Sequence, residues 1–163
     1  MLRHIAGRGV FATQKRVESR DRMTDLEKLR QWLLTYPNWK GTLQVDFMEA
    51  GPGNAGLFPA GLEELRRRED VLGNPEIDCR YRFALHRKTA GQQDGNEDAQ
   101  WLLDFQHWVQ RQSATGAAPH FGDVPSRERI SAQKGMLKTV ERTGICLYTV
   151  TLVADFVKIY AVV

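Results

Sequence analysis

Sulfur is scarce in this sequence of 163 residues, and what there is does not suit chemistry. The two cysteines, Cys79 and Cys146, form no CxxC pair and no even framework, so the spacing encodes neither a disulfide scaffold nor a paired-thiolate metal site. That usage fits a reducing compartment. Histidine is equally dispersed: His4, His86, His107 and His120 share no ligand spacing, which argues against zinc. No stretch approaches about 18 uninterrupted apolar residues, so no membrane-spanning helix is expected. Residues 1–22 contain no apolar core of the kind a secretory signal needs. The 14 glycines and 6 prolines carry no period, which excludes collagen-like and low-complexity readings. There is no GK[ST] after the glycine-containing stretch 51–61, so that stretch reads as an ordinary long connection and not as a phosphate cradle.

What is present is an ordinary globular composition, 42% apolar and 26% charged, enough for one domain with its own core. The net charge of +3 is unevenly placed. Six of the 23 basic and two of the 20 acidic residues fall within 1–22, so the remainder carries 17 positive and 18 negative charges, a net of −1. A near-neutral body lacks the basic surface expected of a protein that grips phosphate backbones. Met23 stands directly before Thr24-Asp25-Leu26-Glu27, a capping box. We expect the natural start at Met23, with 1–22 a basic, disordered extension and 23–163 a single α+β domain.

Hydrophobic spacing predicts a helix over residues 25–36, with Leu26, Leu29, Leu33 and Tyr36 on one face and Pro37 ending it. Residues 42–48 alternate as a half-buried strand, with Leu43, Val45 and Phe47 inward. Residues 62–72 have helical propensity, yet they are also the natural hairpin partner of the next strand, and the residues alone leave both options open. That strand, 76–88, alternates Ile77, Cys79, Tyr81, Phe83 and Leu85 with polar residues. A second helix is expected over 97–113, capped by Asn96 or Asp98, with Trp101, Leu102, Phe105, Trp108 and Val109 on its apolar face. Two long strands close the chain, the first carrying Ile130, Ala132, Met136 and Val140 on one face, the second running over 145–160. The order implies one mostly antiparallel sheet of four or five strands, with two helices packed on one face.

No catalytic constellation emerges. Asp104 and His107, three apart on a polar helix face, lack a nucleophile nearby in sequence and read as a solvated pair. Trp101, Phe105 and Trp108 stand at helical spacing and read as core, not as a base-stacking platform. The cysteines read as small buried strand residues. Arg66, Arg67 and Arg68 form the only basic run of the body, but Glu63, Glu64, Glu69 and Asp70 flank it. A mixed-charge exposed face follows, and in a strand it would suit a specific protein contact. No catalytic, metal-binding or cofactor-binding residue is assigned.

Several segments occur in an order that is familiar as a set: Thr24-Asp-Leu-Glu-Lys-Leu-Arg-Gln-Trp-Leu, Gly53-Asn-Ala-Gly-Leu-Phe-Pro, Arg68-Glu-Asp-Val-Leu-Gly-Asn, Tyr81-Arg-Phe-Ala-Leu, Trp101-Leu-Leu-Asp-Phe-Gln-His-Trp-Val and Tyr148-Thr-Val-Thr-Leu-Val-Ala-Asp-Phe. Together they resemble the small minor capsid proteins encoded in prophages of Gram-positive gut bacteria. Those are similar to the tail terminators of long non-contractile-tailed bacteriophages. The resemblance covers roughly residues 23–160 and consists of structural sequence, not of a chemical signature. Residues 1–22 depart from it, and a basic tail of that size would crowd a ring.

The resemblance implies a strand at 62–72, forming a hairpin arm with 76–88. It also implies a twisted sheet that assembles edge to edge into a homo-hexameric ring. Such a ring caps the tail tube in the virion, after assembly in the bacterial host cytoplasm. It contacts the major tail tube protein and the head–tail connector protein, and DNA passes through its lumen only as cargo. No enzyme activity, cofactor or membrane is implied. The assembly contacts expected on this basis lie at or near Leu57, Phe58, Arg66, Arg67 and Arg68. A neck protein of the same particle is the alternative, and a nucleic-acid-binding module using the basic tail and sheet face is a more distant one.

Overall fold

The capping box forms as its sequence predicts on the donor side. Thr24 Oγ1 accepts the Glu27 N–H at 3.2 Å, opening helix α1, Asp25–Leu33. The Glu27 carboxylate takes the side chains of Arg30 and Gln31 instead of reaching back to the cap. In this computed structural model, which describes residues 23–91 and 96–162, α1 is shorter than its periodicity suggested. Thr35 and Tyr36 donate to the carbonyls three residues back, so the chain tightens ahead of Pro37. Tyr36 lies beyond the helix and is nevertheless buried.

Strand β1 is only Leu43–Val45, because Asp46 adopts a left-handed φ of 57° and turns the chain out of the alternation. Phe47, expected inward, is 56% exposed as a result. Strand β2, Ala55–Glu69, corrects one reading and decides another. The expected loop ends at Ala55, and of the two options left open for 62–72 the strand, which the resemblance implied, is the one found over 62–69. Two partners hold this stretch. β1 pairs with it in parallel at Ala55, Gly56 and Leu57, and strand β3, Pro75–Thr89, pairs antiparallel along its whole length. Gly56 is required for this: a Cβ there would lie 2.7 Å from the Phe58 ring and 2.8 Å from the Phe47 carbonyl oxygen. Pro59 and Gly61 are tolerated because this part of β2 is an edge, where a missing N–H leaves no ladder bond unmade.

Helix α2, Asn96–Ala114, is followed by a single 3₁₀ turn, Pro125–Arg127, and by the antiparallel strands β4, Arg129–Val140, and β5, Cys146–Ile159. β4 does not keep one face throughout. Lys134 has a φ of 54°, and the register shifts between Gln133 and Met136. Ile130 and Ala132 therefore pack inward, while Met136 turns to the opposite face and is 53% exposed.

The five strands form one sheet in the order β1-β2-β3-β5-β4, antiparallel except for β1 with β2. The architecture is α+β with a single mostly antiparallel sheet. Odd-numbered positions of β3 meet both helices: the Tyr81 hydroxyl donates to Asp25 of α1 at 2.6 Å, and the Arg87 guanidinium lies 3.9 Å over the Trp101 ring of α2. Between the helices all four tryptophans gather around Tyr36. Trp32 stacks on Trp108 with ring centres 4.8 Å apart, and Trp39 meets Trp101 at 5.8 Å. Phe105 is fully buried among them. These aromatics are core, as their helical spacing predicts. The expected extension at 1–22 lies outside the described residues.

Candidate assembly interface

The sheet face away from the helices is a lattice of paired charges built from even positions of β3. Arg82 bonds Glu63 across to β2 at 2.9 Å, and Arg80 makes a two-pronged pair with Asp155 of β5 at 2.6 and 2.9 Å. Arg68 grips both Asp78 and Glu76, and Arg127 reaches the same two carboxylates from the 3₁₀ turn. Each pair joins different elements, so the pairs fix register as well as neutralise charge. The mixed-charge face inferred from the sequence is thus largely occupied with itself.

That pairing separates the three arginines. Arg68 is half-buried and committed to Asp78 and Glu76. Arg67 lies on the helix-side face, exposed, bonded to Glu64 at 2.7 Å, and that hydrogen bond, helped by its charge, holds the Glu64 carboxyl below the usual carboxylate range. Arg66 is exposed and enters no ion pair among the described residues. The expectation for Leu57 is corrected: it is completely buried between Val45 and Leu85, so it builds the core and cannot touch a partner while the fold is intact. Phe58 points the other way, partly covered, with its ring 5.0 Å from that of His86. The structure therefore brings Arg66 and Arg67 to an outer edge, leaves Phe58 beside it, and withdraws Leu57 and Arg68.

The resemblance implied edge-to-edge assembly, but the residues alone did not show which strands border the sheet. β1 ends at Val45, so from residue 58 to residue 69 β2 has a partner on one side only. Leu62 and Leu65 are exposed along it, and at the hairpin tip Val71 and Leu72 are 101% and 82% exposed. The tip is nonetheless ordered by its own bonds. Asp70 accepts from the N–H groups of Leu72 and Asn74, both at 2.9 Å, which lowers its carboxyl pKa. The carboxy-terminal segment braces it, with Tyr160 donating to Pro75 and Val162 to Asn74. The opposite border of the sheet, β4, has no strand on its outer side, but α2 covers its first half: Ser113 Oγ accepts the Ile130 N–H and Gln106 donates to the Ala132 carbonyl, both at 3.0 Å, which leaves residues 136–140 open. It carries Arg129, Lys134 and Lys138 with no carboxylate, and exposes Met136, Leu137 and Val140.

Other groups are structural. The Glu128 carboxylate, its side chain 6% exposed, accepts the N–H groups of Phe121 and Gly122 and meets His120 Nδ1, clasping the loop that follows α2. Asp104 and His107 are both exposed on α2, and Asp104 takes Gln100 at 2.8 Å. Burial raises the Cys79 thiol pKa, while Cys146 is partly covered. Among the described residues no group of three or more His, Cys, Asp or Glu is placed to hold a metal ion, and no helix is long and apolar enough to cross a membrane. No protein-family model matches the chain, and no curated protein matches it.

Proposed function

We propose that this chain is a phage virion assembly protein whose subunits join edge to edge into a ring at the head-proximal end of a tail tube. The observation that carries the reading is the pair of open sheet borders: residues 58–69 of β2 on one side, residues 136–140 of β4 on the other. A long unpaired edge is a template for another strand, and proteins that stay monomeric usually blunt it. Here the β2 border is long, the β4 border is short, and both expose leucine. Because they differ in sequence and charge, contact between them is head-to-tail, the geometry that closes rings. The sequence resemblance to prophage minor capsid and tail-terminator proteins supports the same reading and supplies the six-fold expectation. A neck protein of the same particle would use the same borders with other docking partners.

Light scattering after size exclusion, over a wide concentration range and with added tube subunits, tests this, followed by negative-stain imaging. Rings that appear on concentration or on templating are expected. A chain that stays monomeric under both conditions overturns the proposal. Arg66→Glu with Arg67→Glu is expected to strengthen association without unfolding the domain, since the facing border β4 carries Arg129, Lys134 and Lys138 with no carboxylate and neither guanidinium bridges elements of the core; unchanged association removes both residues from the contact. Arg68→Glu would confuse the result, because Arg68 holds Glu76 and Asp78 within its own chain.

A second reading has one observation in its favour, the carboxylate-free basic strand β4. A nucleic-acid-binding module would use it, and its mark is DNA affinity that falls steeply with salt.

A further inference from the structure

The two open borders do not lie level. β2 is antiparallel to β3, β3 to β5 and β5 to β4, so β2 and β4 run in opposite directions. The open half of β4 sits at one end of the sheet, where Val140 pairs with Cys146 and Cys146 with Thr89 of β3. The open arm of β2 sits at the other, where Leu62 pairs with Tyr81. Level contact between two copies is obstructed at three places. The first half of β4 meets α2, which already holds the Ile130 N–H and the Ala132 carbonyl. β1 has only three residues, and the Arg30 side chain donates to its Leu43 carbonyl at 2.9 Å. Leu57 turns its carbonyl outward to the Asp46 N–H, so Pro59, two residues on, faces out with no N–H to give.

We infer that neighbouring copies join as one antiparallel ladder slid along the strands, with Val140 of one copy opposite Leu62 of the next. This rests on the self-assembly reading above and fixes the register of its joint. Backbone direction supports it. Leu57 and Pro59 stand opposite odd positions of β3 and turn their backbone groups outward; Leu62, opposite Tyr81, shares that parity. Ile130 and Ala132 stand opposite even positions of β5 and do the same toward α2; Leu137 and Val140 share theirs. Rotation about a ring axis keeps the helices of all copies on one side, so these outward groups meet with their side chains on the helix face. Thr89 and Tyr81 stand eight residues apart in β3, so the slide is about 27 Å. It sets Val140 against Leu62, 60% and 61% exposed in the single chain. Two residues less would set Val140 against Pro59, and two more against Glu64, while an odd shift would reverse the faces. The hydrophobic pattern therefore selects one register. A ring built on it closes only with its strands inclined to the axis.

The test uses the full chain carrying Cys146→Ser, because Cys146 lies opposite Val140 within one copy. A Leu62→Cys chain and a Val140→Cys chain are assembled together and oxidised. Both positions are exposed, so thermal unfolding should match the parent. A disulfide between the two kinds of chain is expected, since opposed residues of a ladder lie within bridging distance. Gln44→Cys mixed with Met136→Cys reports level contact, because both positions stand level with His86 of β3, and it should give none. If the parent assembles and positions 62 and 140 do not cross-link, or the level pair cross-links instead, self-assembly stands and this register falls. If the parent never assembles, even on tube subunits, both fall. Should a cysteine chain fail to assemble where the parent does, charge decides. Leu62→Lys is expected to weaken association roughly tenfold, and Val140→Asp in the same chain to restore most of it. No restoration overturns the register.

Discussion

Glu128 holds three donors with one carboxylate, and two of them are backbone N–H groups of the loop it clasps. Glu128→Ala leaves those donors without a partner and is expected to cost about 2–4 kcal/mol in urea unfolding. Glu128→Gln keeps one acceptor oxygen and should lose less. His86 offers a prediction in pH. Burial lowers its pKa from the usual value near 6.5, and the charge of Lys138 lowers it further. The unfolded chain therefore takes up this proton first as pH falls through 6.5, and stability declines below that point until the folded pKa is passed. A His86→Gln chain should show a flatter urea midpoint between neutral pH and pH 5. At this scale the sequence was a poor guide. Nothing in the run Arg66, Arg67, Arg68 says that Arg68 is locked to Asp78, that Arg67 pairs with Glu64 and that Arg66 enters no ion pair among the described residues. Arg67 is set apart by its face of β2, which follows from a register shift between Glu64 and Arg66.

Elements were legible wherever one face is buried throughout. β3 and α2 lie where their periods predicted, because burial on one side enforces the alternation. β2 was not legible, since most of it is exposed on both faces and a strand without a buried side has no pattern to show. Its glycines and proline, punctuation in most sequences, are edge features here. The same logic separates two glycines near β1. Gly41 has a φ of 91°, and a Cβ there would fall 1.5 Å from the Gly53 carbonyl oxygen; Gly51, at a φ of 95°, has open space. Gly51→Ala is expected to cost about 1–2 kcal/mol from backbone strain alone. Gly41→Ala must also displace the Gly53 segment, which donates to Lys88 of β3, and should cost about 3 kcal/mol or more. Paired thermal melts of the two variants check the ordering.

At the scale of the whole chain, the α+β class and the single sheet followed from composition and element order, whereas the open borders did not. Sequence marks which residues avoid water within a chain, and it says little about which strand lies outermost. The candidate contacts divided along that line: Leu57 was noticed because it is apolar within an expected loop, and it proved apolar because it is core.

The strand order also dictates a history. β2 and β3 meet across the short turn at 70–74, and β4 and β5 across 141–145, so each couple can zip locally. β3 and β5 pair from Glu76 with Ile159 to Thr89 with Cys146, contacts that close loops of more than fifty residues, α2 among them. Loop closure on that scale is the slow step of folding, so the rate is governed by two preformed ribbons finding each other. Stopped-flow kinetics should therefore divide the sheet. Leu152→Ala, at the centre of the β3–β5 seam, is expected to slow folding. Asp70→Ala, at the arm's tip, is expected to leave the seam's rate-limiting closure nearly untouched and to hasten unfolding instead.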